Sequence, residues 1–185
     1  ADEKHGYIDA LAYRGEVRAA RDIARYLQAD DPLLVARAAM ALGKLQQRRS
    51  LEPLVAARNR GPAAARPAIE LALVAIGVRP ALARDLVTSG STPAIRVAAF
   101  RQLAEQKPRA AQRILKEILA EPADPARPAI IRAALETRGR FLRDYLVDTL
   151  PASDPAAQQV ILAAVADAAR TEYEPALLAF LPAAP

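Results

Sequence analysis

Asp31-Pro-Leu-Leu-Val-Ala-Arg-Ala-Ala-Met-Ala-Leu-Gly-Lys-Leu45, followed after a short break by Ser50-Leu-Glu-Pro-Leu-Val55, decides the fold class of this 185-residue chain. Asp before Pro marks a helix start. The carboxylate accepts hydrogen bonds from first-turn N–H groups, and Pro at the next position has no N–H to leave unpaired and a φ already suited to the helix. Val35, Ala38, Ala39, Leu42 and Leu45 then recur at helical spacing and give the helix one apolar stripe. Leu51, Leu54 and Val55 make a second stripe on a second helix, with Pro53 in its first turn.

The pattern returns along the chain. Turn signals at Asp31-Pro32, Gly61-Pro62, Thr92-Pro93, Asp124-Pro125 and Asp154-Pro155 place their prolines 30, 31, 32 and 30 residues apart. A fixed period between about 20 and 50 residues is the signature of a repeat array, whose units cannot bury their apolar faces alone and stack on one another. First helices are predicted at 32–45, 63–77, 93–105, 126–138 and 155–169. Second helices are predicted at 50–59, 79–88, 108–120, 140–150 and 172–181. In the second unit two starts stay open, Gly61-Pro62 and Arg66-Pro67, because Arg127-Pro128-Ala-Ile130 repeats Arg66-Pro67-Ala-Ile69. Residues 3–13 and 16–28 form one more pair. The expectation is an all-α chain of about six antiparallel helix pairs in a single domain, 1–185. Residues 1–29 form an N-terminal capping pair, and the units cover about 30–60, 61–90, 91–121, 122–153 and 154–185. Gly139 is read as the left-handed residue that ends the fourth first helix.

Composition agrees with helices packed closely. Alanine accounts for 45 residues and aromatic residues for only 4%, so the core is built from small and branched aliphatic side chains. The absence of cysteine excludes disulfides, thiolate nucleophiles and Cys-based zinc sites. No apolar run approaches the roughly 20 residues of a membrane helix, so no membrane insertion is expected. The chain begins Ala1-Asp2-Glu3, as a mature exported protein or a trimmed chain would, and both a cytoplasmic and a periplasmic location stay open.

Twenty-six basic and 21 acidic residues give a formal charge of +5. His5 is the only histidine, and Ser89, Ser91 and Ser153 have no histidine near them in sequence. No catalytic set, metal-ligand cluster or phosphate-cradling glycine loop is present, so no catalytic residue, metal or cofactor is expected. The basic residues are more informative. Arg58, Arg79, Arg84, Arg109, Arg113 and Lys116 fall on successive second helices. One reading makes them a solvated face with local pairs such as Arg113–Glu117. The other makes them an anion-binding groove for a partner. Tyr7, Tyr13, Tyr26, Tyr145, Tyr173 and the three Phe are read mostly as packing residues, with Tyr13 and Tyr26 the candidates for exposed anchors.

The stretch Asp31–Leu45 with Ser50–Val55 resembles a HEAT-like repeat of the short type found in the bilin lyase family and in many bacterial repeat proteins. Thr92-Pro-Ala-Ile-Arg-Val-Ala-Ala-Phe-Arg-Gln-Leu103 is similar to it as well. The resemblance implies a right-handed α-α superhelix, first helices on the convex side and second helices lining the concave side. It also implies a partner bound along the concave face. The expected function is therefore a non-catalytic protein-interaction or scaffold module for a protein or peptide partner, one with acidic character if the basic residues form a groove. Nucleic-acid binding through that groove is the alternative, and a lyase-like enzyme subunit a further one.

Overall fold

The computed structural model describes residues 2–15, 17–167 and Tyr173. Every regular element among them is helical: α1 (Asp2–Tyr13), α2 (Ala20–Arg25), α3 (Pro32–Leu45), α4 (Leu51–Arg60), α5 (Arg66–Ile76) and α6 (Pro80–Ser89). They are followed by α7 (Pro93–Gln106), α8 (Pro108–Leu119), α9 (Arg127–Glu136), α10 (Phe141–Thr149) and α11 (Pro155–Asp167). Short 3₁₀ turns at 17–19 and 26–28 flank α2, and others lead into α4 and α5. The second helix expected at 172–181 lies outside the described residues apart from Tyr173.

The turn signals start helices for the reasons their chemistry implies. Asp31 Oδ1 accepts the Leu33 N–H at 2.9 Å, and Thr92 Oγ1 accepts the Ile95 N–H at 3.3 Å. Asp154 Oδ1 accepts from Ala156 and Ala157 at 3.1 and 3.2 Å. Asp124 ties the turn before α9 by accepting the Ala126 N–H at 2.9 Å, and the helix itself opens three residues later at Arg127. In the second unit α5 starts at Arg66, with residues 63–65 a separate 3₁₀ turn, so Arg66-Pro67 is the start.

One helix end departs from expectation, at Gly139. Gly77 does take a left-handed conformation, φ 92°, after α5. Gly139 does not: α9 ends at Thr137 with φ −59°, its hydroxyl donating back to the Ala134 carbonyl at 2.8 Å. The side chain thus closes the helix and leaves Gly139 no such task. Gly43 lies within α3, which ends instead on left-handed Gln46, φ 50°. Its role is clearance, since a Cβ there would stand 3.0 Å from Ala72 Cα on α5.

The helices pack in chain order. Each odd-numbered helix touches the next odd-numbered one, from α1 through α11, and α6, α8 and α10 touch in the same sequence. Residues 26–28 touch α4, and α2 touches the turn before α4. A single apolar cluster runs through these contacts, with Ile8, Ile23, Leu42, Leu54, Leu73, Leu86, Phe100, Ile114 and Ile130 inaccessible or nearly so. Burying each such side chain contributes roughly 1.5–3 kcal/mol relative to exposure. Tyr7 departs from its expected packing role, being 54% exposed.

Candidate partner-binding face

Polar side chains divide into those that join helices and those that face solvent. The first group centres on Glu70, which α5 places among Ile69, Ala72 and Leu73 and which is fully buried. A buried carboxylate is costly unless paired and hydrogen-bonded. Arg58 on α4 donates from Nε to Glu70 Oε1 at 2.8 Å, and Ser91 donates both its N–H and its hydroxyl to Oε2 at 2.7 and 2.6 Å. The same Arg58 guanidinium reaches Asp85 Oδ2 at 2.6 Å and Ser89 Oγ at 3.1 Å on α6. Burial alone would raise the Glu70 pKa, but the Ser91 and Arg58 hydrogen bonds outweigh it and hold it below the ordinary carboxylate value. Burial likewise pushes Arg58 down, and its bonds to Glu70 and Asp85 outweigh that and raise it.

Arg58 is therefore a correction. Its side chain is 7% exposed and committed to an intramolecular network, so it is withdrawn from the candidate partner-binding set. The spacing carried a signal for this. Leu51, Leu54 and Arg58 follow one another at helical intervals, so Arg58 lies on the stripe α4 turns inward.

Arg79, Arg84, Arg109, Arg113 and Lys116 behave differently. All five are exposed, Arg79 and Arg84 at and on α6 and the other three on α8, two helices in contact. Among the described residues none of the five has an ion pair or side-chain hydrogen bond. Glu117 stands one turn beyond Arg113, but the two do not pair. Asp85, next to Arg84 in sequence, is already held by Arg58. Among the described residues, then, no side chain pairs with the positive charge at these sites.

Beside Arg79, α4 and α6 enclose a groove of about 520 Å³ floored by Leu51, Val55, Val78 and Leu82, with Arg48 and Arg49 on its rim. Sequence reasoning missed those two arginines because it searched helix bodies, and they sit in the turn before α4. Tyr13 is 93% exposed at the end of α1, whereas Tyr26 is half-buried against the core. Tyr173 is buried and donates its hydroxyl to Asp144 Oδ1 at 2.9 Å. Among the described residues no group of three His, Asp or Glu side chains is placed to hold a metal ion. No described helix is long and apolar enough to cross a membrane. Comparison of the chain with protein-family models, with curated proteins and with solved structures finds no match.

Proposed function

We propose that the chain is a HEAT-like α-α superhelix and acts as a non-catalytic interaction module that holds a protein or peptide partner along its even-numbered helices. The ordered contacts of each odd-numbered helix with the next, and of α6 with α8 and α8 with α10, support the superhelix. The observation that carries the function is the set of exposed, unpaired cations on adjoining α6 and α8: Arg84, Arg109, Arg113 and Lys116. An acidic partner would pair with them and would be steered toward this face. Arg84→Glu with Arg113→Glu tests it. Partner binding should weaken while the helical circular dichroism and unfolding midpoint stay those of the parent. Unchanged binding would move the site elsewhere.

Nucleic-acid binding is the second reading, favoured by the same unpaired cations and a sequence pI near 9.9. It requires affinity that falls steeply and linearly with log salt. A shallow salt dependence would set it aside.

A further inference from the structure

Cations outside the helix bodies follow a pattern of their own. Arg18 precedes α2, Arg49 precedes α4, Arg79 opens α6, Lys107 opens α8 and Arg138 precedes α10. They stand 31, 30, 28 and 31 residues apart, and every turn leading into an even-numbered helix holds at least one cation. All five are exposed, and among the described residues none of the five has an ion pair or side-chain hydrogen bond. Glu136, the acid nearest Arg138 in sequence, is held by Arg101 at 2.6 Å. Three of the five turns into α3, α5, α7, α9 and α11 have the opposite character, carrying Asp31, Asp124 and Asp154, and the turns into α5 and α7 carry no charged residue. Where cations meet those turns they are paired, Arg96 with Asp124 and Arg127 with Asp154. Helix stability does not account for the first row, since a cation at a helix N-terminus opposes the macrodipole.

Grooves lie between three of the four successive pairs of turns in this row. Arg18, Arg21, Arg49 and Pro53 line one of about 610 Å³ between the approaches to α2 and α4. The groove of about 520 Å³ between α4 and α6 follows, rimmed by Arg48 and Arg79. Another, of about 410 Å³, lies between the starts of α8 and α10, lined by Pro108, Arg138, Phe141 and Leu142. Cations and apolar floors thus recur along one edge of the helix stack.

We infer that this edge docks an extended acidic segment of a partner protein, its carboxylates on the turn cations and its apolar side chains in the grooves. The inference rests on the interaction-module reading and gives that module's partner its chemistry. Neighbouring helices lie about 8–10 Å apart, so the five turns span roughly 32–40 Å. An extended chain rises about 3.3 Å per residue, so one step matches about three residues and the row about twelve. A segment with Asp or Glu at every third position and aliphatic residues between meets both features. A nucleic-acid strand fits worse. In these three grooves only Phe141 offers a ring on which a base could stack, whereas the apolar floors suit aliphatic side chains.

The probe is a fluorescent peptide of about twelve residues with Glu at every third position and Leu in the gaps, compared with the same peptide carrying Ser for Leu and with an oligothymidylate. Anisotropy is read for the parent chain, for Arg49→Glu with Arg79→Glu, and for Arg84→Glu with Arg113→Glu. The expected result is that the Leu peptide binds tighter than the Ser peptide and the oligothymidylate. The turn variant should weaken it about tenfold or more, with folding unchanged, as like-charge juxtaposition requires. The helix-body variant should weaken it as well, by a smaller factor than the turn variant, since Arg84 and Arg113 add to the field of this face without lining the grooves. Loss confined to the helix-body variant would overturn the turn row while leaving the interaction-module reading intact. No binding of the Leu peptide, or equal binding of Leu and Ser peptides, would overturn the groove assignment. Preferential binding of the oligothymidylate would overturn both.

Discussion

Glu70 and Arg96 stand at the same place on successive odd-numbered helices, three residues after Pro67 and Pro93, and do the same work with opposite charge. Glu70 accepts from Arg58 on the preceding α4 and from Ser91 in the turn before the following α7. Arg96 donates to the Val87 carbonyl on the preceding α6 at 2.6 Å and to Asp124 in the turn before α9 at 2.6 and 2.5 Å. Arg127 repeats the second arrangement, from the Leu119 carbonyl of α8 to Asp154 before α11. Each clamp joins an even-numbered helix, the odd-numbered helix after it and the turn before the next odd-numbered helix, so the polar groups at the joins fix how one helix pair follows the next.

Removing the Glu70 carboxylate takes the acceptor from Arg58 Nε and from the Ser91 N–H and hydroxyl, and leaves Arg58 with Asp85 and Ser89 alone. Glu70→Leu should therefore lower stability by about 3–5 kcal/mol in urea unfolding. Glu70→Gln keeps an acceptor for the Ser91 N–H and should cost less. Adding Arg58→Met to Glu70→Leu should cost less than the sum of the two single losses, because both changes remove the same buried pair. Additive losses in the double variant would contradict the clamp.

Asp124 and Asp154 have pKa values held down chiefly by the hydrogen bonds from Arg96 and Arg127, Asp154 from 3.8 to about 2. Glu70 is held low as well. A carboxylate whose folded pKa lies below its unfolded value contributes stability that is present above the unfolded pKa and lost as pH falls through the folded one. Stability should thus fall between about pH 4 and about pH 2. Asp124→Asn with Asp154→Asn should lower the neutral-pH unfolding midpoint and flatten that fall. Parallel pH curves for parent and variant would count against it.

Gly43 permits the close approach of α3 to α5. A branched side chain there would push into Ala72, whose Cα and Cβ would lie 3.0 and 3.1 Å from the new Cβ. Gly43→Val should destabilise by about 1–3 kcal/mol. Ala72→Gly in the same chain should relieve part of the clash, which a thermal-melt comparison of the single and double variants would read.

Arg143 is 8% exposed on α10, and its Nε has no hydrogen-bond partner among the described residues. A buried donor left unpaired costs about 1–3 kcal/mol. Arg143→Met keeps the length of the side chain and removes the donor, so it should raise the unfolding midpoint. A fall would show that the guanidinium is satisfied in solution.

Helix placement was legible because it is local. Pro32 and Leu45 bound α3 as its capping aspartate and apolar stripe require, and α4, α6, α8 and α10 begin within one residue of expectation. Gly139 misled because a glycine near a helix end signals a left-handed residue only when no side chain closes the helix first, and Thr137 does. The joins were not legible. Glu70 finds its partners 12 and 21 residues away, and only the folded chain brings Arg58 and Ser91 to it. The exposed, unpaired state of Arg84 and Arg113 is equally non-local, since Glu117 was available as a partner in sequence and is not used. The turn row Arg18, Arg49, Arg79, Lys107 and Arg138 was present in the sequence period but gained meaning only once the grooves between the turns were visible.

The central claim is that the chain holds a protein partner through its exposed cations. The most direct measurement is what the purified chain retains from a lysate of its source organism, with and without nuclease, read by mass spectrometry beside the Arg84→Glu, Arg113→Glu and Arg49→Glu, Arg79→Glu variants. The account predicts a discrete protein that survives nuclease and is lost with at least one variant. Retention of nucleic-acid-associated proteins alone, abolished by nuclease, would contradict it, as would a partner held equally well by both variants.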